Sequence, residues 1–84
     1  MDITIRCNPP VPYQIHAKRG VAVKDEPSLR GKKLAVLSHL EIVEVHEIQG
    51  DNRFVRIQEP IAGWISTSRR GRQVVRKYIP PKEV

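Results

Sequence analysis

Short runs of alternating apolar and polar residues, cut by proline and glycine every eight to twelve positions, dominate this chain. Tyr13-Gln14-Ile15-His16-Ala17 alternates as a half-buried strand does. Lys18-Arg19-Gly20 turns the chain, and Val21-Ala22-Val23-Lys24 follows with Val21 and Val23 on one face. Asp25-Glu26-Pro27-Ser28 is a turn, because acidic and hydroxyl side chains bond local backbone donors and proline fixes φ. Arg30-Gly31-Lys32-Lys33 is an exposed corner, and Leu34-Ala35-Val36-Leu37 a short apolar strand. The clearest strand runs from Leu40 to Ile48. Glu41, Glu44 and Glu47 also fit helical spacing there, but a helix would run at once into the hairpin signal Gln49-Gly50-Asp51-Asn52. Phe54-Val55-Arg56-Ile57-Gln58 pairs naturally with that strand. Ala62-Gly63-Trp64-Ile65-Ser66 is a further strand after the break at Glu59-Pro60, and Val74 to Ile79 the last. Pro80-Pro81 stops it.

Five to seven short strands at this spacing predict an all-β domain, a small barrel in preference to a sandwich at 84 residues. The expected layout is an extended, proline-stiffened lead-in over residues 1–12, a barrel over 13–79 and a tail over 80–84. Asn8-Pro9-Pro10-Val11-Pro12 reads as a stiff approach to the first strand, with a proline-rich ligand for another protein as the alternative. The expected core is Val21, Val23, Leu34, Val36, Ile42, Val43, Val45, Val55, Ile57 and Ile65. Each such side chain contributes roughly 1.5–3 kcal/mol when buried. A chain of this size buries only about 60–65% of its unfolded surface, so the core is adequate and no more.

Several of these pieces occur in an order that resembles a known family. Gly20 to Ser28, then Leu34 to Leu37, Ile42 to Val45 and the strand Gly63-Trp64-Ile65-Ser66 resemble the bacterial-type Src-homology-3 domain over Tyr13 to Ser68. The resemblance implies a five-stranded barrel of the Src-homology-3 type that binds a partner and catalyses nothing. The tyrosine signature and tandem tryptophan by which eukaryotic members hold proline-rich peptides have no counterpart, and Ser66 stands where those members usually carry proline.

Charge changes the picture further. The net +6 divides into +4 over residues 1–37, −3 over 38–68 and +5 over 69–84. The basic C-terminal segment is either a docking device or an ordinary solvated tail. The single cysteine, Cys7, excludes an internal disulfide and any multi-cysteine metal site. His16, His39 and His46 have no metal-ligand spacing, and no nucleophile elbow, phosphate loop or dinucleotide turn is present. The expectation is a non-enzyme with no cofactor and no metal.

No apolar run approaches the roughly 20 residues of a membrane span. MDITIRCNPP also lacks the basic start and apolar stretch of a secretory signal, so the expected location is the cytoplasm.

Two binding roles follow. The first is a protein–protein interaction or scaffold module using loops and a shallow aromatic groove, with Tyr13, Trp64 and Tyr78 as contact residues and another protein, with an acidic surface, as partner. In this reading Phe54 belongs to the core, and Trp64 is either barrel anchor or contact. The alternative is nucleic-acid binding, to RNA or DNA, through Arg69, Arg70, Arg72, Arg76 and Lys77, since the guanidinium fork suits phosphate. An exposed edge on the last strand would in addition allow self-association.

Overall fold

The computed structural model describes residues 3–49 and 51–81. They form β1 (Thr4–Ile15), β2 (Val21–Lys24), β3 (Lys33–Leu37), β4 (Ile42–Gln49), β5 (Phe54–Ile57), β6 (Gly63–Ser66), β7 (Ser68–Arg69), β8 (Arg72–Gln73) and β9 (Val75–Lys77). Among the described residues there is no helix, so none is long and apolar enough to cross a membrane. The all-β expectation holds.

Seven strands make one antiparallel sheet in the order β3-β2-β6-β5-β4-β1-β9, and β7 and β8 form a separate two-stranded hairpin. No ladder joins β3 to β9 among the described residues, so the sheet is open where a closed barrel was expected. It is nevertheless curled: Leu37 from one end and Val75 from the other are both fully buried in a single apolar cluster.

Register decides which face each side chain takes. Val21 opposes Leu37 and Val23 opposes Ala35, which sends these four inward and leaves Leu34 and Val36 outward. Val43, Val45, Val55, Ile57 and Ile65 are buried as expected, and Ile15, Ala17 and Tyr13 join them. Leu34, Val36 and Ile42, expected in the core, are exposed. Gly63 is buried where β6 crosses β2: a Cβ there would stand 2.5 Å from Val23 Cγ1 and 2.7 Å from the Lys24 carbonyl oxygen. Only glycine permits that approach.

The N-terminal segment, expected as an extended lead-in, is already strand from Thr4. Thr4 to Arg6 and Val11 to Gln14 pair with β4, so the described part of the lead-in is sheet. Between them the register shifts, with Cys7 to Pro10 set against His46 alone. Pro9 and Pro10 have no amide hydrogen to give a ladder, which is why the strand bulges there instead of ending. At the other end β9 pairs with Tyr13 to Ile15, and Pro80 and Pro81 lie beyond it in no strand. The rest of the expected tail lies outside the described residues.

Candidate docking groove

The outer face of the sheet carries one continuous row of side chains. Arg6 opposes Glu47, Glu47 opposes Arg56, Arg56 opposes Trp64, Trp64 opposes Lys24, and Lys24 opposes Lys33. Glu47 accepts from Arg56 Nη1 at 2.9 Å and stands 4.0 Å from Arg6 Nε, so one carboxylate meets two guanidiniums. Trp64, half-buried, is left between two cations in the register. A cross-strand neighbour of this kind favours contact between a cation and the ring face.

Beside this row lies a groove. Its floor is Phe54, which opposes Ser66 on the outer face, together with Val21, Ala22 and Leu29. One wall is the loop between β2 and β3. Asp25 and Lys32 pinch its neck, the Asp25 amide donating to the Lys32 carbonyl at 3.0 Å and the Lys32 amide to Asp25 Oδ1 at 2.8 Å. Its tip is held by Ser28 Oγ, which accepts from the Arg30 amide at 3.1 Å, and by Lys24 Nζ, which donates to the Leu29 carbonyl at 3.3 Å. The facing wall is the β7–β8 hairpin, whose turn places Arg70 at φ 51° and Gly71 at φ 78°. Ser66 Oγ donates to the Ser68 carbonyl at 2.8 Å and ties this hairpin to β6.

The groove has two adjoining lobes of about 410 and 570 Å³. Five cations line them, Lys24, Arg30, Arg53, Arg69 and Arg70, and no carboxylate does. Arg53 is engaged by Asp51 at 3.2 Å, while Arg30, Arg69 and Arg70 form no ion pair among the described residues. An apolar floor under unpaired guanidiniums suits a ligand that is anionic and carries an apolar group.

The expected contact aromatics are not brought together. Tyr13 is only 8% exposed, its ring part of the core, and Trp64 stands three strands away in the sheet order. Tyr78 is half-buried beyond β9, its amide donating to the Pro12 carbonyl at 2.9 Å. Burial pushes the Tyr13 phenol above its ordinary value, with a smaller push from Cys7.

The expected basic segment is also divided. Arg69 and Arg70 line the groove, and Arg72 opposes Arg69 on the exposed hairpin. Arg76 and Lys77 line a different cavity of about 420 Å³ beside Tyr13 and Thr67. Phe54, expected in the core, is the main floor residue of the groove. Its parity was visible: it shares a face with Arg56, opposite Val55 and Ile57. Lys24, Arg30 and Arg53 come from distant parts of the chain, and no local pattern joins them.

Among the described residues no three His, Cys, Asp or Glu side chains gather to hold a metal ion. The fold and this surface define a small all-β domain with a basic, apolar-floored groove. No protein-family model, curated protein or solved structure matches the chain.

Proposed function

We propose that this chain is a non-catalytic interaction module whose groove takes an acidic polypeptide segment carrying an exposed apolar side chain. One observation carries the reading: five cations and no carboxylate surround a floor built on Phe54 and Leu29. The apolar side chain of the ligand covers Phe54, and its flanking carboxylates meet Arg30, Arg69 and Arg70. The proposal includes kinship with bacterial-type Src-homology-3 domains, supported by the Gly63-Trp64-Ile65-Ser66 strand lying between β5 and β2.

A single-stranded nucleic acid is the second reading, favoured by the diagonal placement of Phe54 and Trp64 on adjacent strands among cations. The division of Arg69 and Arg70 from Arg76 and Lys77 argues against a single phosphate-tracking stripe.

Fluorescence anisotropy with a labelled peptide of alternating acidic and leucine residues tests the first reading. Binding should weaken by about tenfold or more when Arg69→Glu and Arg70→Glu are combined, since two surface ion pairs of up to about 1 kcal/mol each are lost and reversed. A single-stranded oligonucleotide that binds more tightly than any such peptide would transfer the groove to the second reading.

A further inference from the structure

The surface remote from the groove carries an acidic, apolar turn of the kind the groove accepts. Leu40 is 52% exposed and Ile42 46% exposed. Leu40 sits at φ 68°, a conformation that L side chains other than asparagine and aspartate rarely adopt. The turn is nonetheless well held: the Leu40 amide donates to the Ile15 carbonyl at 2.7 Å, the Glu41 amide to the Ser38 carbonyl at 3.1 Å, and Gln14 Nε2 to the Leu40 carbonyl at 3.2 Å. Two large apolar side chains are thus presented to solvent by a fixed backbone.

Carboxylates adjoin Ile42. Glu41 lies between it and Leu40 in sequence, and Ile42 shares a cavity of about 400 Å³ with Glu44 and Glu59. The nearest cation by register is Arg76, which follows Gln14 in the cross-strand row beginning at Ile42.

Resting on the groove assignment above, we propose that the occupant of the groove is a second copy of this chain, docked through its Leu40–Glu44 turn. Leu40 and Ile42 cover Phe54 and Leu29 of the neighbour, while Glu44 faces Arg69, Arg70 and Arg30; Glu41, whose Oε1 accepts from the Ser38 amide at 2.9 Å, adds its charge from within the turn. Val45 opposes Ile57 and Ile48 opposes Val55, so Ile42 and Phe54 lie toward opposite ends of the β4–β5 ladder. An eight-residue strand spans on the order of 25 Å, which prevents a molecule from filling its own groove. The contact is heterologous, and it propagates head to tail unless the rotation closes a ring.

The test is light scattering coupled to size exclusion on the full chain, from micromolar to millimolar concentration, at low and high salt. The expected mass rises with concentration at low salt and returns to that of the monomer at high salt. A groove variant (Arg69→Glu with Arg70→Glu) and a turn variant (Leu40→Asn with Glu44→Lys) should each be monomeric alone. Asparagine suits the Leu40 backbone, and circular dichroism checks that both variants keep the fold; Glu44→Lys alone replaces the turn variant if that one does not. Mixed together, the two should form a one-to-one dimer and nothing larger, because only one intact groove and one intact turn remain. A wild-type chain that stays monomeric, or an oligomer that survives both variants, overturns the proposal. If the wild type is monomeric yet the acidic leucine peptide still binds, self-association falls and the groove assignment stands. If neither binds, both fall.

Discussion

Thr67 and Asn52 are joined across the sheet by a hydrogen bond in which Thr67 Oγ1 donates to the Asn52 carbonyl at 2.5 Å. Asn52, in the β4–β5 turn, has a left-handed backbone at φ 61°. Thr67 is the link between β6 and the β7–β8 hairpin: its amide donates to the Arg53 carbonyl at 2.9 Å, and its carbonyl accepts from the Val74 amide at 2.8 Å. One residue therefore ties the hairpin that walls the groove to the strand that floors it. At 7% exposure, its hydroxyl is also a buried polar group that needs this partner.

Thr67→Val should cost about 1–3 kcal/mol, because the shape is kept while the Asn52 carbonyl loses its donor. Urea denaturation gives the measurement, as a lower midpoint at unchanged slope. The same substitution should weaken peptide binding through a looser hairpin. Unchanged stability would show that the hydroxyl is replaceable by water.

Gly63→Ala should be destabilising by about 1–3 kcal/mol. The added methyl meets Val23 Cγ1 at 2.5 Å and the Lys24 carbonyl at 2.7 Å, and the second of these is backbone that cannot swing away. The strands β2 and β6 would have to separate, and Lys24 and Trp64, paired across them, would move apart. Thermal denaturation checks the stability, and tryptophan emission reports whether the ring becomes more exposed.

Leu40→Gly should stabilise the fold by roughly 0.5–1 kcal/mol. The left-handed backbone costs a leucine about 1–2 kcal/mol, and the entropy glycine loses on folding returns part of that. Little packing is lost, since Leu40 is 52% exposed. A leucine at a position that prefers glycine is what a surface contact would require. Equilibrium unfolding in urea decides the sign, and a lower midpoint would show that Leu40 packs in a way its exposure conceals.

How far this was legible varies with the physics of each segment. Where apolar and polar residues alternate, as in β5, inward and outward faces could be read directly, and Val55 and Ile57 are buried as that pattern requires; in β4 the adjacent Ile42 and Val43 hid the choice, and only Val43 is buried. Leu34-Ala35-Val36-Leu37 does not alternate, so nothing local distinguishes its two faces; the pairing of Val21 with Leu37 does. Prolines suggested that the N-terminal segment stays outside the sheet, whereas a bulge lets the strand pass them and resume at Val11. The groove was the least legible part. Its cations come from β2, two loops and the β7–β8 hairpin, and they meet because β2, β6 and β5 lie side by side in the sheet. The inward parity of Tyr13 was visible, since it alternates with Ile15 and Ala17, but a ring with a polar tip suits a contact surface as well as a core, and its burial at 8% exposure decides between them.

Tyr13 supplies a pH dependence whose sign follows from its burial. Desolvation raises its phenol above the ordinary tyrosine value, with Cys7 adding to the effect, so the folded chain keeps this proton to higher pH than the unfolded chain does. Below the unfolded value both states are protonated and the contribution of Tyr13 is intact. As pH rises through the folded value it is lost, because by then the unfolded state binds fewer protons and stability falls with pH. Tyr13→Phe keeps the ring in the core and removes the titration. Urea midpoints taken between about pH 8 and about pH 11 should therefore decline more steeply for the wild type than for the variant. Parallel declines would mean that the phenol ionises as freely in the folded chain as in the unfolded one, and that the cavity it shares with Arg76 and Lys77 is wet enough to solvate the charge.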